Sequence, residues 1–404
     1  MHIWIKVVII SIIIISGSLT AIILSWPSAL KKVRNTIWLL GPPELGSEGF
    51  VSEEYVTGLS LPTKMTFIND DILVLEKNSG FVRHITSDGT LKAEPILDLE
   101  VATIAESGLL GILSKDNFVY LYYTAAENDG DLPEGNKVVR YTWTGNDLIE
   151  PILIKELPAN PKKGYHNGGA MALGKDGTVY AVIGDFNNTG RGGVLQNIPD
   201  GIPDDRGVIL PVDPEGPYFA MGIRNSFGLA VDPVTGNMWD TENGASTFDE
   251  INFVPPKFNS GWKKIMGPSQ FTHLSDLPEF DVANLPEFDG FEYSDPEFSW
   301  VKTTAPTAIV FPTSKLFEKY HDSLFVGDCN NGNIYKFRLN SDRNGFVFQD
   351  SSLQDLVFNQ GDNDEEIIIG KKYGCITDMQ FGPDGYLYVV SLTRGSIYKL
   401  SPET

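Results

Sequence analysis

The sequence predicts an all-β fold, a six-bladed β-propeller of four-stranded antiparallel blades, and three observations carry that expectation. One hairpin formula recurs along the chain, its copies are spaced at a few dozen residues, and each is followed by a further strand-like run. The plainest copy is YHNGGAMALGKDGTVYAVIGD at 165–185, in which Lys175, Asp176 and Gly177 separate two short apolar runs. Asp-Gly in that position is a hairpin signal, because glycine tolerates the positive φ of a tight turn. FGPDGYLYVVS at 381–391 repeats the formula, and AVDPVTGNMWDTENG at 230–244 repeats it with a longer turn. Looser copies lie at 65–80, 111–124 and 308–328. The runs GFVRHIT, NKVVRYTWT, GVILPVD, DEINFV, GNIYKFRL and GSIYKL then supply further strands, enough for each blade to pack both faces.

Taken in order, the chain divides into an apolar leader with its basic flank (1–34), a tether (35–60) and the propeller (61–404). The leader contains an apolar run, 7–26, about as long as a membrane-crossing helix requires. Lys6 precedes it, Lys31, Lys32 and Arg34 follow, and no small-x-small cleavage site stands just after it. An uncleaved signal anchor is expected, with the propeller extracytoplasmic, or secreted if the leader is removed. The Pro- and Gly-containing stretch after it reads as a connector to the first blade.

A net charge of -22, with 53 acidic against 31 basic residues, excludes a nucleic-acid partner, since such a surface repels phosphate. Two cysteines, Cys329 and Cys375, make no disulfide framework. Free buried thiols are the plain expectation, and one disulfide joining adjacent blades is the sharper alternative. Asn187-Asn188-Thr189 is a glycosylation sequon. The insertion at 275–298, where LPEFD occurs twice, lacks periodicity and reads as a solvated acidic excursion; cation binding by Glu279, Asp281, Glu287 and Asp289 is the alternative.

The motifs GLLGI (108–112), HNGGAMALGKDGTVYAVIGD, GIRNSFGLAVDPVTGNMWDTENG (222–244), DEINFV with NSGW (249–254, 259–262), APTAIVF (305–311) and FGPDGYLYVV resemble those of the soluble glucose/sorbosone dehydrogenases. Members are six-bladed propellers, many of them aldose dehydrogenases dependent on pyrroloquinoline quinone (PQQ). The likeness runs from about 58 to the C-terminus.

Oxidising a sugar at its anomeric carbon requires a base for the hydroxyl proton while hydride leaves to an acceptor, and neutral histidine suits that near pH 7. Of five histidines, only His166 stands in a glycine-rich loop at a blade mouth, and it resembles the family's catalytic histidine. By the same resemblance Asp185 orients it. The resemblance likewise implies that Arg224 and Asn225 contact the cofactor, the guanidinium stabilising charge that grows on the acceptor. Asn243, Thr303, Glu106 and Asn330 occupy further cofactor positions, and the carbonyls of Gly244 and Ala245 are implied calcium ligands. A sugar substrate and an external electron acceptor follow as partners.

The chain departs from that pattern where the family grips a tricarboxylate. The lysine position is Asn330, two arginine positions fall on Cys375 and Thr377, and a glutamine before GLLG is replaced by Glu106. Arg224 then carries the balancing charge, with Lys302, Lys371 and Lys372 as nearby sources. Three functions are compatible with this: a PQQ-dependent aldose dehydrogenase, a relative that binds or transforms another ligand, with a metal near Glu106, His166 and Asp185, or an interaction module.

Overall fold

The computed structural model describes residues 41–46, 49–186, 204–275, 277, 281–285, 287, 288 and 290–403. The apolar run 7–26, the sequon at 187–189, and Glu279 and Asp289 lie outside them. Among the described residues, no helix is long and apolar enough to cross a membrane.

The strands form an all-β propeller of six sheets. Their innermost strands are Pro62–Ile68, Leu109–Lys115, Met171–Leu173, Ser226–Val231, Pro306–Val310 and Ile376–Phe381. Each lies against the next, and the sixth returns to the first, so the ring closes on an axis. We number the blades 1 to 6 by these strands. Arranging the sheets radially leaves each with only a short inner edge, protected by its neighbours around the axis.

Local chemistry sets the hairpins. In blade 3, Met171–Leu173 and Val179–Ile183 pair antiparallel across a turn in which Gly177 takes φ +83°. The Asp176 carboxylate accepts the backbone N–H of Thr178 at 3.0 Å, closing the turn from inside. Asp384 does the same for Tyr386 at 3.3 Å in blade 6, beside Gly385 at φ +86°. The recurring Asp-Gly pair is thus one device used twice.

The core lies between blades. Trp239, Phe298, Trp300, Phe311, Phe337 and Phe346 fill the space between blades 4 and 5, and Leu73, Leu75, Leu109, Leu121 and Tyr141 the space between 1 and 2. Each such side chain contributes about 1.5–3 kcal/mol on burial. The blades pack as one ring because each sheet has apolar residues on both faces.

Blade composition departs from expectation. Blades 1, 2 and 6 have four strands, whereas blade 3 has six and blades 4 and 5 have five. The additions Phe258–Asn259, Glu292–Tyr293 and Val357–Phe358 pair parallel, which only long excursions allow. The segment 35–60 is also not a simple tether. Glu44–Leu45 pairs with Ile368–Lys371 of blade 5, and Phe50–Val56 is the outer strand of blade 6, paired with Ser396–Pro402. Pairing a strand that precedes blade 1 with the last strand of blade 6 seals the ring, a long-range pairing that local pattern does not reveal. Part of the acidic insertion is likewise structured: Asp295 accepts the backbone N–H of Ser269 at 2.7 Å, Phe291 is buried, and Phe298 opens the strand Phe298–Lys302.

Candidate active site

The loop before blade 3 turns His166 inward at the price of a left-handed backbone, φ +58°. Such a conformation in a non-glycine residue costs about 1 kcal/mol or more and persists when its surroundings hold it. Here they do. The His166 backbone N–H donates to Glu106 Oε2 at 2.7 Å, and Gly168 and Gly169, at φ +73° and +111°, carry the chain onward into the blade. Gly184 makes room on the other side. A Cβ there would stand 2.6 Å from the carbonyl oxygen of His166 and 2.7 Å from that of Arg224.

Asp185, fully buried after the second strand of blade 3, organises the centre. One carboxylate oxygen accepts from Nδ1 of His166, the other from Nε1 of Trp262 at 2.7 Å, and its backbone N–H donates to the carbonyl of Arg224 at 2.9 Å. A carboxylate accepting at Nδ1 fixes the neutral imidazole with its proton on Nδ1 and its lone pair on Nε2. Burial, 4% exposure for His166 and 7% for Arg224, shields the whole arrangement from bulk water.

Arg224 is held by three contacts besides the Asp185 backbone N–H on its carbonyl. Its backbone N–H donates to Glu242 Oε1 at 2.6 Å, a terminal NH2 donates to the carbonyl of Asn243 at 2.5 Å, and the guanidinium lies 5.2 Å from the centre of the Trp262 ring. Burial pushes its pKa down, opposed by the charges of Asp185, Glu242 and Glu106. Beneath it the carboxyl of Glu242 is pushed well up by burial and by neighbouring Glu250 and Asp240. Three buried polar atoms at this site have no hydrogen-bond partner: Arg224 Nε, Asn225 Oδ1 and Asn243 Oδ1. Orphaned buried atoms are rare, and a donor and two acceptors clustered together are what a polar ligand would satisfy.

Beside this cluster is a cavity of about 270 Å³ lined by Glu106, Asn225, Asn243, Lys64 and Lys77 together with Leu110, Phe227, Leu392 and the Cys329–Cys375 disulfide. Glu106 Oε2 also accepts from Asn225 Nδ2 at 3.4 Å, so the cavity wall and the buried histidine share one network. Lys64 is committed to Asp378 and to the carbonyl of Thr307. Lys77 is pushed down to about 8 by burial, with Glu106 opposing.

A family model described as Glucose / Sorbosone dehydrogenase matches residues 59–399. The chain belongs to the glucose/sorbosone dehydrogenase family. Aldose sugar dehydrogenase YliI of Escherichia coli is 24% identical over 364 residues, covering 85% of this chain and 91% of its own. A Synechocystis protein, slr1608, is 25% identical over 370 residues, covering 83% and 82%. The PQQ-bound structure of Aldose Sugar Dehydrogenase from Streptomyces coelicolor superposes with a TM-score of 0.63 at 21% identity, covering 89% of this chain and all of that one. That structural likeness shows the shared fold.

Against this dehydrogenase frame, six expected positions come together: Glu106, His166, Asp185, Arg224, Asn225 and Asn243. Of these, Glu106, Asn225 and Asn243 line the cavity, while His166, Asp185 and Arg224 stand behind it. Thr303 and Asn330 do not join them. Asn330 is exposed and donates to the Thr303 carbonyl at 3.3 Å, and Thr303 faces a separate groove with Lys302 and Tyr335. Lys371 and Lys372 are also occupied elsewhere, by Asp364 and Glu44. Gly244 donates its backbone N–H to Asp249 Oδ1 at 2.8 Å, and Ala245 is exposed.

The side-chain metal cluster does not form. Glu106 bonds the backbone of His166 while the imidazole turns to Asp185, and no group of three His, Cys, Asp or Glu side chains among the described residues is arranged for a metal ion. The two cysteines are not free thiols; they bridge the strand end of blade 5 to the strand start of blade 6. Residues the sequence did not single out are Trp262, Lys77 and Phe227. Trp262 stands in the NSGW motif without an evident role until its indole N–H meets Asp185.

Proposed function

We propose that this chain is a PQQ-dependent aldose dehydrogenase that oxidises a sugar at its anomeric carbon in the cavity beside His166. The observation that carries the proposal is the orphaned trio Arg224 Nε, Asn225 Oδ1 and Asn243 Oδ1, next to a histidine held in the base-competent tautomer by Asp185. The residues present fit a flat quinone bearing carboxylates: the Asn225 amide lies on one wall with the Arg224 guanidinium behind it, apolar Leu110, Phe227 and Leu392 flank it, and Lys77 brings a cation. When bound, PQQ supplies the two-electron acceptor for the hydride that leaves the anomeric carbon. A calcium ion held by the carbonyls of Gly244 and Ala245 belongs to the same proposal.

In this reaction His166 Nε2 takes the proton of the anomeric hydroxyl. Asp185 stabilises the imidazolium that results without itself taking the proton, and Trp262 holds Asp185 in place. The buried position of these groups strengthens each interaction and excludes water. Arg224, clamped on Glu242 and Asn243, keeps its positive charge directed at the ligand's oxygens. An external electron acceptor completes the turnover. The apolar run 7–26 is proposed to tether the enzyme to a membrane with the propeller outside the cytoplasm.

A second reading is favoured by Glu106, whose carboxylate lines the cavity, and by the absence of charge at Asn330, Cys375 and Thr377. In it, the cavity takes a neutral ligand instead. Reconstitution of the purified protein with PQQ and calcium separates the two. A glucose-dependent change in quinone absorbance, lost in His166→Ala, is expected; no uptake of PQQ at micromolar concentration would overturn the first reading in favour of the second.

A further inference from the structure

The three positions at which the family resemblance places an anion grip hold no charge here, and the structure shows what each does instead. Cys375 is in the disulfide, the Thr377 hydroxyl donates to the carbonyl of Pro62 at 3.0 Å, and Asn330 is turned out to the Thr303 carbonyl. Two lysines line the cavity, and one, Lys64, is already paired with Asp378. The other comes from an element to which no role had been given: the turn after Asp71–Glu76, the second strand of blade 1.

Lys77 is built into that place. Its backbone N–H donates to the Leu61 carbonyl at 3.1 Å, and its own carbonyl accepts from Leu109 at 2.9 Å, so the residue is clamped between blades 1 and 2. Its aliphatic stem lies over Gly108, where a Cβ would meet Lys77 Cγ at 2.7 Å. Glycine at 108, with φ +148°, therefore leaves the channel through which the stem passes. At its tip the ammonium donates to the adjacent Asn78 side chain at 3.0 Å, and Glu106 is the carboxylate that acts on it. The other charged groups around the cavity are the Lys64–Asp378 pair, Lys64 being on the neighbouring strand of the same blade, and, behind Asn225, Arg224 with its backbone N–H on Glu242.

We propose that Lys77 is the carboxylate anchor of this cavity, taking over from blade 1 the grip that blades 5 and 6 lack; this rests on the reading that an anionic quinone binds there. A partly desolvated ammonium gains more from an anionic partner than a hydrated one does, because it has already lost much of its water. Glu106 supports the charge and at the same time limits how many negative groups the cavity accepts. Since burial holds Lys77 down near 8, ligand binding keeps it protonated and the affinity falls as pH rises through that value.

The test is equilibrium binding of PQQ, with calcium present, by calorimetry at pH 7 and pH 9 for the wild type, Lys77→Met and Lys77→Arg, each checked for folding by its urea midpoint. The wild type is expected to lose affinity from pH 7 to 9 and to take up protons on binding near pH 8. Lys77→Met should bind about ten- to a hundredfold more weakly at pH 7 and lose the pH dependence, and Lys77→Arg should recover most of the affinity at both pH values. Equal affinity of Lys77→Met and wild type would overturn the role of Lys77 and leave PQQ binding intact. No binding by the wild type would remove both together.

Discussion

Replacing Asp185 by asparagine tests the centre of the site most directly, since the substitution preserves shape and removes charge. Its two carboxylate oxygens accept from two buried donors, His166 Nδ1 and Trp262 Nε1, inside a fully buried pocket. Hydrogen bonds to a charged acceptor contribute about 1.5–3 kcal/mol each. Asparagine has one acceptor oxygen, so one donor keeps a neutral bond and the other faces an NH2 group. The expected loss is therefore about 2–4 kcal/mol of unfolding free energy, read from urea denaturation followed by tryptophan fluorescence. If the amide NH2 faces the ring, Nδ1 must accept and the proton moves to Nε2, which removes the lone pair assigned to the base. Turnover should then fall by roughly 10³-fold or more, as expected for a histidine locked in the wrong tautomer, and the imidazole 15N shifts should exchange between the two nitrogens. An unfolding free energy unchanged within about 0.5 kcal/mol, together with an unchanged 15N pattern, would refute the assignment of Asp185 as the group that orients His166.

Other consequences can be measured independently. Opening the Cys329–Cys375 bridge frees a loop with a sequence separation of 46, which the chain-entropy relation converts to about 4 kcal/mol; Cys329→Ser with Cys375→Ser should lower the denaturant midpoint accordingly, and an unchanged midpoint would contradict it. Gly184→Ala forces a methyl within 2.6–2.9 Å of His166 and Arg224 backbone and side-chain atoms, so a loss of about 1–3 kcal/mol is expected, whereas a neutral outcome in the melting curve would show that the two loops yield easily. Burial pushes Asp240 up to about 7 and Glu250 up to about 8, from ordinary values of 3.8 and 4.5. Between those limits the native state binds more protons than the unfolded chain, so their contribution is complete at acid pH and is lost as pH rises through about 7 to 8. Asp240→Asn with Glu250→Gln should flatten the decline of stability from pH 4.5 to 8; an unaltered slope would place the proton uptake elsewhere.

The sequence by itself determined the repeat. Asp176-Gly177 and Asp384-Gly385 specify their turns through a side-chain acceptor and a positive φ, both local, and the copied hairpins therefore announced a propeller before any contact was known. It also singled out His166 by its glycine-rich loop, and Arg224 and Asn225 through the resemblance to the family. What only the tertiary structure decided were the partnerships formed between distant segments. Phe50–Val56 closes blade 6 against Ser396–Pro402, Trp262 reaches Asp185 from 77 residues away, and Cys329 meets Cys375 across two blades. The same holds for Asn330 and Thr303, expected at the cofactor but bonded to each other away from the cavity, and for Lys77, whose place at the cavity depends on the space left by Gly108. The physical reason is one of range. Turn geometry and strand alternation are fixed by a few neighbouring residues, whereas the direction in which a rim side chain points is fixed by how six sheets twist and pack around their common axis.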